Sequence, residues 1–505
     1  MMDHSDDSRT FKLAAVDLGA TSGRVILGGI EDGVLRMKHV ARFPNTPLAL
    51  LEVTGETLVS VLDGNAGSDE GLYWNIQSLY AAVQNGLREA ARFAPGLTSI
   101  GIDSWAVDYG LLRKGRLVGS PHHYRDERTA RGVELVHSRI AATELYERNG
   151  LQHLDFNTVF QLAVESETGF LDLADEVLLI PDLLAYWLTG RSYAEMTNAS
   201  TTGLLSLTTR AWDNELLDEL GLKRDLLPPL LRSGEVIGPI TDATARRLGT
   251  GHGVQVTAVG SHDTASAVVA VPFASKRSAY ISSGTWSLVG LELDEPVLSG
   301  AALEANFTNE GGVDDTVRFL KNVSGLWLLS ESMRHWQADS NDAQRSADLQ
   351  TLLADAAAVK FHYEVFDPAD ARFVPPGDMP SRIAEWYTEH GLRPPESPAE
   401  VVRCILESLA EAYASTIDAA EALAGMTVDT VHVVGGGSQN ALLCQLTANR
   451  TSRPVIAGPV EATAIGNLLV QARTMGLVEE DASLSDLREI VRRSFPVTEY
   501  LPVTT

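Results

Sequence analysis

The sequence predicts an α/β protein of two domains, each built on a mixed sheet flanked by helices, and three observations support this prediction. The chain has 505 residues, which is more than one hydrophobic core ordinarily holds. Residues 11–30 read as a strand, a glycine-containing turn and a second strand. Residues 279–293 repeat that pattern in the second half of the chain. The repetition indicates two similar halves rather than an array of short repeats.

The first half of the chain predicts strands interrupted by one amphipathic helix. After residues 11–30, Asp32-Gly33 turns the chain into a third strand. Residues 75–93 place their apolar side chains on one helical face, and Asn75 can cap this helix. Strands that alternate with a helix are typical of a mixed sheet covered by helices. Two further short strands are predicted, at 99–103 and 109–112.

The second half repeats these elements and adds longer helices. The stretch 431–437 is a buried strand that runs into a glycine turn. Because residues 248–260 are rich in glycine, we place the domain boundary there. The expected domains are residues 1–260 and 261–505, facing each other across a cleft. Helices are predicted at 398–424, 439–450 and 462–476.

Composition and charge limit the classes of function. The formal net charge of −27 argues against nucleic-acid binding, which needs a basic face. Cys404 and Cys444 are the only cysteines, so neither a disulfide framework nor a cysteine metal site is expected. A location in the reducing cytoplasm is expected instead. No apolar run reaches about 18 residues, so no membrane span is expected.

Glycine turns with hydroxyl side chains are candidate phosphate sites. In AVDLGATSGRV (15–25), Asp17 ends a strand and a turn follows whose backbone N–H groups can bind phosphate. Asp17 is placed to hold Mg²⁺ directly or through water. SSGTWSL (282–288) is a second turn of this kind, and VVGGGSQN (433–440) is a third glycine element. Each also fits an ordinary structural turn, and none has the order of a dinucleotide fingerprint or a Walker loop.

Two strand ends carry side chains suited to a sugar. GIDSWAVDYG (101–110) combines acids and a hydroxyl with Trp105, and a sugar offers hydroxyls at its edge and C–H groups on its face. A core tryptophan with solvated acids is the alternative. LKNVSGLWLL (320–329) adds Lys321 and Asn322 at another strand end.

The stretch SHDTASAV (261–268) places Asp263 between His262 and Thr264, directly before small residues. A buried strand would not carry this carboxylate, because an unpaired charge away from water is costly. The pattern predicts a polar turn that opens a closely packed helix, with Asp263 directed into a cleft. There it could accept the proton of an attacking hydroxyl. The alternative is a helix N-cap, a position at which Asp is common.

These stretches together resemble the FGGY carbohydrate kinases, which belong to the actin-like group of ATP-binding folds. They run in order along nearly the whole chain, and NFTNEGG (306–312) with SHDTASAV is typical of the rhamnulokinase branch. Besides the turns and strand ends above, the matching stretches are YRDERT (124–129), IPDLLAYWLTG (180–190), TNASTTGLL (197–205) and IAGPVEATAIGN (456–467).

The resemblance implies phosphorylation of L-rhamnulose to L-rhamnulose 1-phosphate by ATP with Mg²⁺, in L-rhamnose breakdown. It implies two actin-like (ribonuclease H-like) domains, the N-terminal one with the sugar pocket and first phosphate loop, the C-terminal one with the base and nucleotide site. Asp263 resembles the catalytic base. The implied sugar-binding residues are Trp105, Ala106, Asp108, His262, Asp263, Thr264 and Asn322.

The resemblance also implies the ATP contacts. Thr285 would meet the phosphates from the second domain, and Gly437 would meet the adenosine end. The chain departs from the family at Ala106, where relatives usually carry Gly, at Ser330, where a longer polar residue is expected near ATP, and at Ser438, where some relatives have Cys. The first phosphate loop would be formed by Ala20, Thr21, Ser22, Gly23 and Arg24.

Two other functions remain open at this point. One is another FGGY kinase, acting on L-fuculose, xylulose or glycerol. The other is a non-catalytic actin-like protein that senses a sugar or a nucleotide. The joint presence of Asp17, Asp263 and both hydroxyl-containing glycine turns favours an enzyme. The expected partners are a ketose and ATP, with no nucleic acid or membrane, and the protein is expected to be a monomer or a homodimer.

Overall fold

A computed structural model describes residues 10–51, 70–337 and 342–503, with the backbone alone for 342–347. Within these residues the chain forms 22 strands. They are β1 (Leu13–Leu18), β2 (Ser22–Glu31), β3 (Val34–Pro44), β4 (Pro47–Leu51), β5 (Glu70–Trp74), β6 (Ser99–Ser104), β7 (Tyr109–Arg113), β8 (Arg116–Leu117), β9 (Glu176–Leu179), β10 (Ala194–Glu195), β11 (Leu205–Ser206), β12 (Ala211–Trp212), β13 (Leu230–Leu231), β14 (Val236–Pro239), β15 (Gln255–Thr257), β16 (Ser278–Ser283), β17 (Trp286–Leu293), β18 (Thr308–Gly311), β19 (Val317–Ser324), β20 (Thr430–Val434), β21 (Val455–Ala457) and β22 (Thr498–Tyr500).

The α-helices of the same residues are listed in chain order. They are α1 (Ile76–Phe93), α2 (Thr129–His137), α3 (Ala142–Asn149), α4 (Thr158–Glu167), α5 (Ile180–Thr189), α6 (Met196–Ala199), α7 (Asn214–Leu220), α8 (Asp242–Leu248), α9 (Asp263–Val269), α10 (Gly300–Glu304), α11 (Trp327–Trp336), α12 (Asp342–Ala358), α13 (Met379–Glu389), α14 (Pro398–Ala424), α15 (Ala441–Thr451), α16 (Ala462–Thr474) and α17 (Leu484–Ser494). None of those helices is long and apolar enough to cross a bilayer.

The chain folds as two compact units, neither of which is continuous in sequence. The first unit comprises Met1–Val269, Asp294–Val317 and Thr463–Ser494. The second comprises Ala270–Leu293, Arg318–Ala462 and Phe495–Thr505. This grouping differs from the expected division after residue 260, because Asp263 and two later segments belong to the first unit.

The first unit contains a six-stranded sheet in the order β14-β15-β6-β1-β2-β3. Strand β1 is antiparallel to β2 and parallel to β6, so the sheet is mixed as predicted. All six residues of β1 are buried, which explains its almost continuous apolar sequence. Helix α1 buries Ile76, Leu79, Val83 and Leu87, and the side chain of Asn75 caps it by accepting from the Ser78 N–H.

The second unit contains six strands of another mixed sheet, in the order β19-β17-β16-β20-β21-β22. Strand β16 is antiparallel to β17 and parallel to β20, which repeats the arrangement of β1, β2 and β6. Helix α14 has the predicted bounds, because Ser397 and Glu400 form a capping box at its start. Gly425, with φ of 65°, ends this helix in the left-handed conformation.

Candidate active site

Two aspartates lie side by side at the carboxyl ends of β1 and β6. In the parallel register, Asp17 is directly opposite Asp103, so their side chains leave the same face of the sheet. Asp17 is buried and accepts a hydrogen bond of 2.8 Å from Arg24 Nε on the neighbouring strand. This guanidinium compensates one of the two negative charges.

Asp103 is fully buried, and one of its oxygens is held by an amide relay. Asn467 Nδ2 donates to Asp103 Oδ2 at 2.5 Å, and Gln471 Nε2 donates to Asn467 Oδ1 at 2.6 Å. Gly101 leaves room for this relay, since a Cβ there would lie 2.4 Å from Asn467 Oδ1. The other oxygen, Oδ1, has no hydrogen-bond partner in the described part of the chain.

Burial raises the pKa of Asp103 well above its usual value, and the negative charges of Asp17 and Asp263 raise it further. The hydrogen bond from Asn467 and the charge of Arg24 act in the opposite direction. The three aspartates therefore form an electrostatically coupled group, which we call the acidic cluster.

Asp263 reaches this group because the residues before it continue the pairing of β6. Ser104 N donates to Ser261 O at 2.9 Å, and Ser104 forms a parallel bridge with His262. Asp263 is then the first residue of α9, as the sequence predicts for a turn that opens a helix. Its side chain is 33% exposed, so it is accessible to a ligand.

The contacts of the Asp263 carboxylate are with neighbouring side chains. Thr264 Oγ1 donates to Asp263 Oδ1 at 3.1 Å, and His262 Nε2 lies 3.5 Å from the same oxygen. No backbone N–H of the described residues donates to this carboxylate, which disfavours the helix-cap alternative. The small residues that follow pack closely, since a Cβ on Gly466 of α16 would lie 1.8 Å from Ser266 O.

Two buried glutamates beside this turn were not found by sequence analysis. Glu195 accepts hydrogen bonds from Ser261 N and Oγ at 3.0 and 2.9 Å. Glu310 Oε2 lies 3.2 Å from His262 Nδ1, on the far side of the imidazole from Asp263. The NFTNEGG stretch, in which Glu310 lies, was the only available signal, and it carried no indication of a contact with His262.

Asp108 is buried and its carboxylate is already engaged. It accepts hydrogen bonds from Trp74 Nε1 at 2.6 Å, from Trp105 Nε1 at 3.1 Å, from Tyr124 N at 3.1 Å and from Gln161 Nε2 at 3.1 Å. Burial raises its pKa to about 6, although all four donors lower it. These bonds favour a role for Asp108 in orienting Trp105 rather than in direct sugar contact.

The Trp105 ring belongs to an aromatic stack beside half-buried Ala106. The ring centroids of Trp74 and Trp105 are 4.0 Å apart, and those of Trp74 and His123 are 4.1 Å apart. Burial and the charge of Arg125 lower the pKa of His123 to about 3, so this imidazole is neutral at physiological pH. The stack gives the region near Asp108 an apolar, uncharged wall.

The first predicted phosphate loop is shorter than the sequence indicates. Gly19 N donates to Ser22 O at 2.9 Å, which closes a tight turn with Ala20 half-buried and Thr21 exposed. Gly23 and Arg24 lie on β2, and a Cβ on Gly23 would lie 2.3 Å from the Phe43 ring. The open backbone of this element is therefore limited to residues 19–22.

The second unit holds the other predicted nucleotide residues. Gly284 N donates to Trp286 O at 2.9 Å. Leu326, directly before α11, donates its N–H to Gly284 O at 3.0 Å. Gly437 packs on the end of β16, since a Cβ there would lie 2.0 Å from Ser283 Oγ. Thr285 in the turn and the predicted sugar contact Asn322 on β19 are both half-buried. Ser330, where the chain departs from the family, is exposed on α11.

Within the described residues, no group of three or more His, Cys, Asp or Glu side chains is close enough to hold a metal ion alone. The acidic cluster is thus a wider arrangement than an all-protein metal cage. Mg²⁺ in phosphate-binding sites is commonly held by one or two carboxylates together with water and substrate phosphates.

Each unit has a mixed α/β sheet, and in the first unit an acid at the end of β1 is followed by a glycine turn. These features fit the class of two-domain kinases of small molecules. The comparison with known proteins makes this specific. Profiles of the FGGY family of carbohydrate kinases match residues 68–270 with the N-terminal domain and 279–475 with the C-terminal domain. The chain belongs to this family.

Relatives and solved structures agree with this membership. The chain is 40% identical to "Rhamnulokinase" of Bacteroides thetaiotaomicron, over 97% of this chain and 95% of that protein. It is also 40% identical to "Rhamnulokinase" of Pectobacterium atrosepticum, over 97% of this chain and 93% of that protein. Its fold matches that of Plasmodium falciparum glycerol kinase with ADP, with a TM-score of 0.74 and 13% identity. The match covers 97% of this chain and 94% of the other. For ligand-bound xylulose kinase from Lactobacillus acidophilus the TM-score is 0.73 and the identity 18%. That match covers 98% of this chain and 94% of the other.

We expect His123→Gln to reduce the loss of stability in acid. Unfolded histidine takes up a proton near pH 6.5, whereas burial holds the pKa of folded His123 at about 3. The contribution of neutral His123 to the free energy of unfolding is therefore complete above pH 6.5. It is lost as the pH falls toward 3, at about 1.4 kcal/mol per pH unit. Urea unfolding between pH 4.5 and 7 measures the slope.

The matched control is His252→Gln, because the His252 side chain is 77% exposed. This variant should keep the wild-type slope. If His123→Gln also keeps it, His123 does not remain neutral in the folded protein.

Proposed function

We propose that the protein transfers the γ-phosphoryl group of ATP to L-rhamnulose, forming L-rhamnulose 1-phosphate and ADP. The observation that carries this proposal is the accessible Asp263 carboxylate at the start of a buried helix, within the acidic cluster. The choice of sugar rests on relatives named Rhamnulokinase that are 40% identical over nearly their whole length.

In this mechanism Asp263 is the general base. A sugar hydroxyl is a poor nucleophile, and a carboxylate within hydrogen-bond reach accepts its proton as the oxygen attacks the γ-phosphorus. The new P–O bond forms as the bond to the β-phosphate oxygen breaks, and ADP leaves. His262 and Thr264, which contact Asp263, would bind the sugar beside it.

Further residues would contact the sugar and the phosphates. Trp105, oriented by Asp108, and the neighbouring Ala106 would line one side of the sugar, and Asn322 would add a polar contact. The turn of residues 19–22, extended by Gly23 and Arg24, offers N–H groups and a guanidinium to the phosphates. Thr285 and Gly437 would also contact ATP.

The residues of the acidic cluster fit Mg²⁺. Asp103 Oδ1 is buried without a hydrogen-bond partner, and Asp17 lies opposite Asp103 in the strand register. Asp17 and Asp103 would hold the ion, in part through water, which suits its preference for oxygen ligands. When bound, Mg²⁺ neutralises charge on the transferring phosphates. Arg24 would orient the Asp17 carboxylate.

We also propose a cytoplasmic location, since Cys404 and Cys444 are both free thiols, which a reducing compartment maintains. The oligomeric state stays as predicted, a monomer or a homodimer.

A coupled assay of ADP release across ketoses tests the substrate. We expect L-rhamnulose to give the highest kcat/KM in a panel with L-fuculose, xylulose and glycerol. A higher value for another sugar would make the protein a different FGGY kinase. Absence of turnover with every sugar, together with sugar-dependent ATP binding, would favour a sensor.

Asp263→Asn keeps the shape of the side chain but removes the proton acceptor, so kcat should fall about 10²–10⁴-fold. The KM for sugar should change much less. Asp242→Asn is the matched control, because Asp242 is likewise the first residue of a seven-residue helix. If both variants have similar turnover, Asp263 is not the base and acts only as a charge at the helix terminus.

Asp103→Asn should weaken metal binding and stabilise the metal-free protein. The substitution removes a carboxyl group whose charged form is opposed by burial and by the charges of Asp17 and Asp263, while an amide oxygen can still accept from Asn467. Mn²⁺ affinity, measured by electron paramagnetic resonance with ADP present, should fall about 10-fold. Asp182→Asn is the control, since Asp182 is also buried with one unpartnered oxygen among the described residues. Unchanged Mn²⁺ affinity in Asp103→Asn would remove Asp103 from the metal site.

A further inference from the structure

Glu195 is a buried carboxylate on which three separate chain segments converge. Only 2% of its surface is exposed. Its Oε2 atom accepts from Thr197 N at 3.0 Å and Thr197 Oγ1 at 2.5 Å. The same oxygen accepts from Ser261 N at 3.0 Å and Ser261 Oγ at 2.9 Å. Ser233 Oγ donates to the second oxygen, Oε1, at 2.7 Å.

These contacts hold the backbone directly before Asp263 from one side, and β6 holds it from the other. Glu195 binds the N–H of Ser261, while the carbonyl of Ser261 accepts from Ser104 N at 2.9 Å. The next residue is tied to the same element, because His262 N donates to Thr197 Oγ1 at 3.3 Å. Asp263 therefore follows two residues whose backbone groups have fixed partners.

Capping of α6 does not account for all of these contacts. Glu195 caps that helix by accepting from Thr197 N and Asn198 N, and a shorter residue such as Ser or Asp would do this as well. A buried carboxylate needs several donors to compensate for the loss of water. Here two of them come from Ser261, which lies 66 positions along the chain. The carboxylate thus joins the helix start to the turn that carries the base.

We propose that Glu195 is a positioning residue that sets the location of Asp263 for proton transfer. This proposal rests on the proposed function of Asp263 as the base. Glu195 does not touch the reacting atoms, and it acts through Ser261 and the residue that follows it. Rates of oriented reactions depend steeply on the geometry of the reacting groups, so a small displacement of this turn should lower kcat.

Glu195→Gln tests the proposal with little change in volume. An amide has one acceptor oxygen and one donor nitrogen, so it cannot accept from both Ser233 and Ser261. We expect kcat with L-rhamnulose and MgATP to fall about 10–100-fold, with a smaller rise in the KM for sugar. Ser261→Ala should lower kcat similarly, and the double variant should be no worse than either single one.

Two controls separate positioning from general stability. Ser233→Ala removes the partner of the other oxygen and should keep kcat within about threefold of wild type. Glu407→Gln alters a buried glutamate of the second unit that pairs with Arg403 and Arg450, and should also preserve kcat. An unchanged kcat in Glu195→Gln, or additive effects of Glu195→Gln and Ser261→Ala, would overturn the proposal.

Hydrogen exchange provides a readout that does not depend on turnover. The backbone amides of residues 261–266 should exchange about tenfold faster in Glu195→Gln than in wild type, and at the wild-type rate in Glu407→Gln. If the wild-type protein is inactive but the exchange difference is observed, the proposed function is rejected, whereas the contact between Glu195 and Ser261 is supported. Active wild-type protein without the difference would reject the role of Glu195.

Discussion

The parallel pairing of β1 with β6 is the constraint on which the candidate site depends. Its register sets Asp17 opposite Asp103, and the backbone bond from Ser104 to Ser261 extends the same pairing to the turn before Asp263. Three acids from distant parts of the sequence thereby reach one edge of one sheet. Because backbone hydrogen bonds determine these positions, they do not depend on contacts made by the carboxylates themselves.

The same arrangement brings like charges together in a largely buried region, which opposes folding. The chain compensates this only in part, with Arg24 on Asp17 and the Asn467–Gln471 relay on Asp103. One oxygen of Asp103 is left without a partner among the described residues. Incomplete compensation of this kind is expected where a protein retains polar groups for function at some expense of stability.

Sequence patterns predicted local structure well and contacts between distant residues poorly. Helix α14 and the strand–turn–strand elements follow from periodicity, capping and turn residues, which act within a few positions. The turn at Asp263 was also predicted, since charge next to small residues is a local signal. The contacts of Asn467 with Asp103 and of Glu195 with Ser261 span 364 and 66 positions. The packing of the Phe43 ring over Gly23 is another contact between distant residues that the sequence could not reveal.

The division of the first unit among three chain segments has a consequence for biosynthesis. A ribosome releases the N-terminal segment first, and domains generally begin to fold as they emerge. The strands that carry Asp17 and Asp103 are therefore synthesised long before α16, which supplies Asn467. Until that helix arrives, Asp103 lacks its amide donor, and the nascent first unit must remain incomplete. Translation of nearly the entire chain is thus required before the acidic edge of the sheet can close.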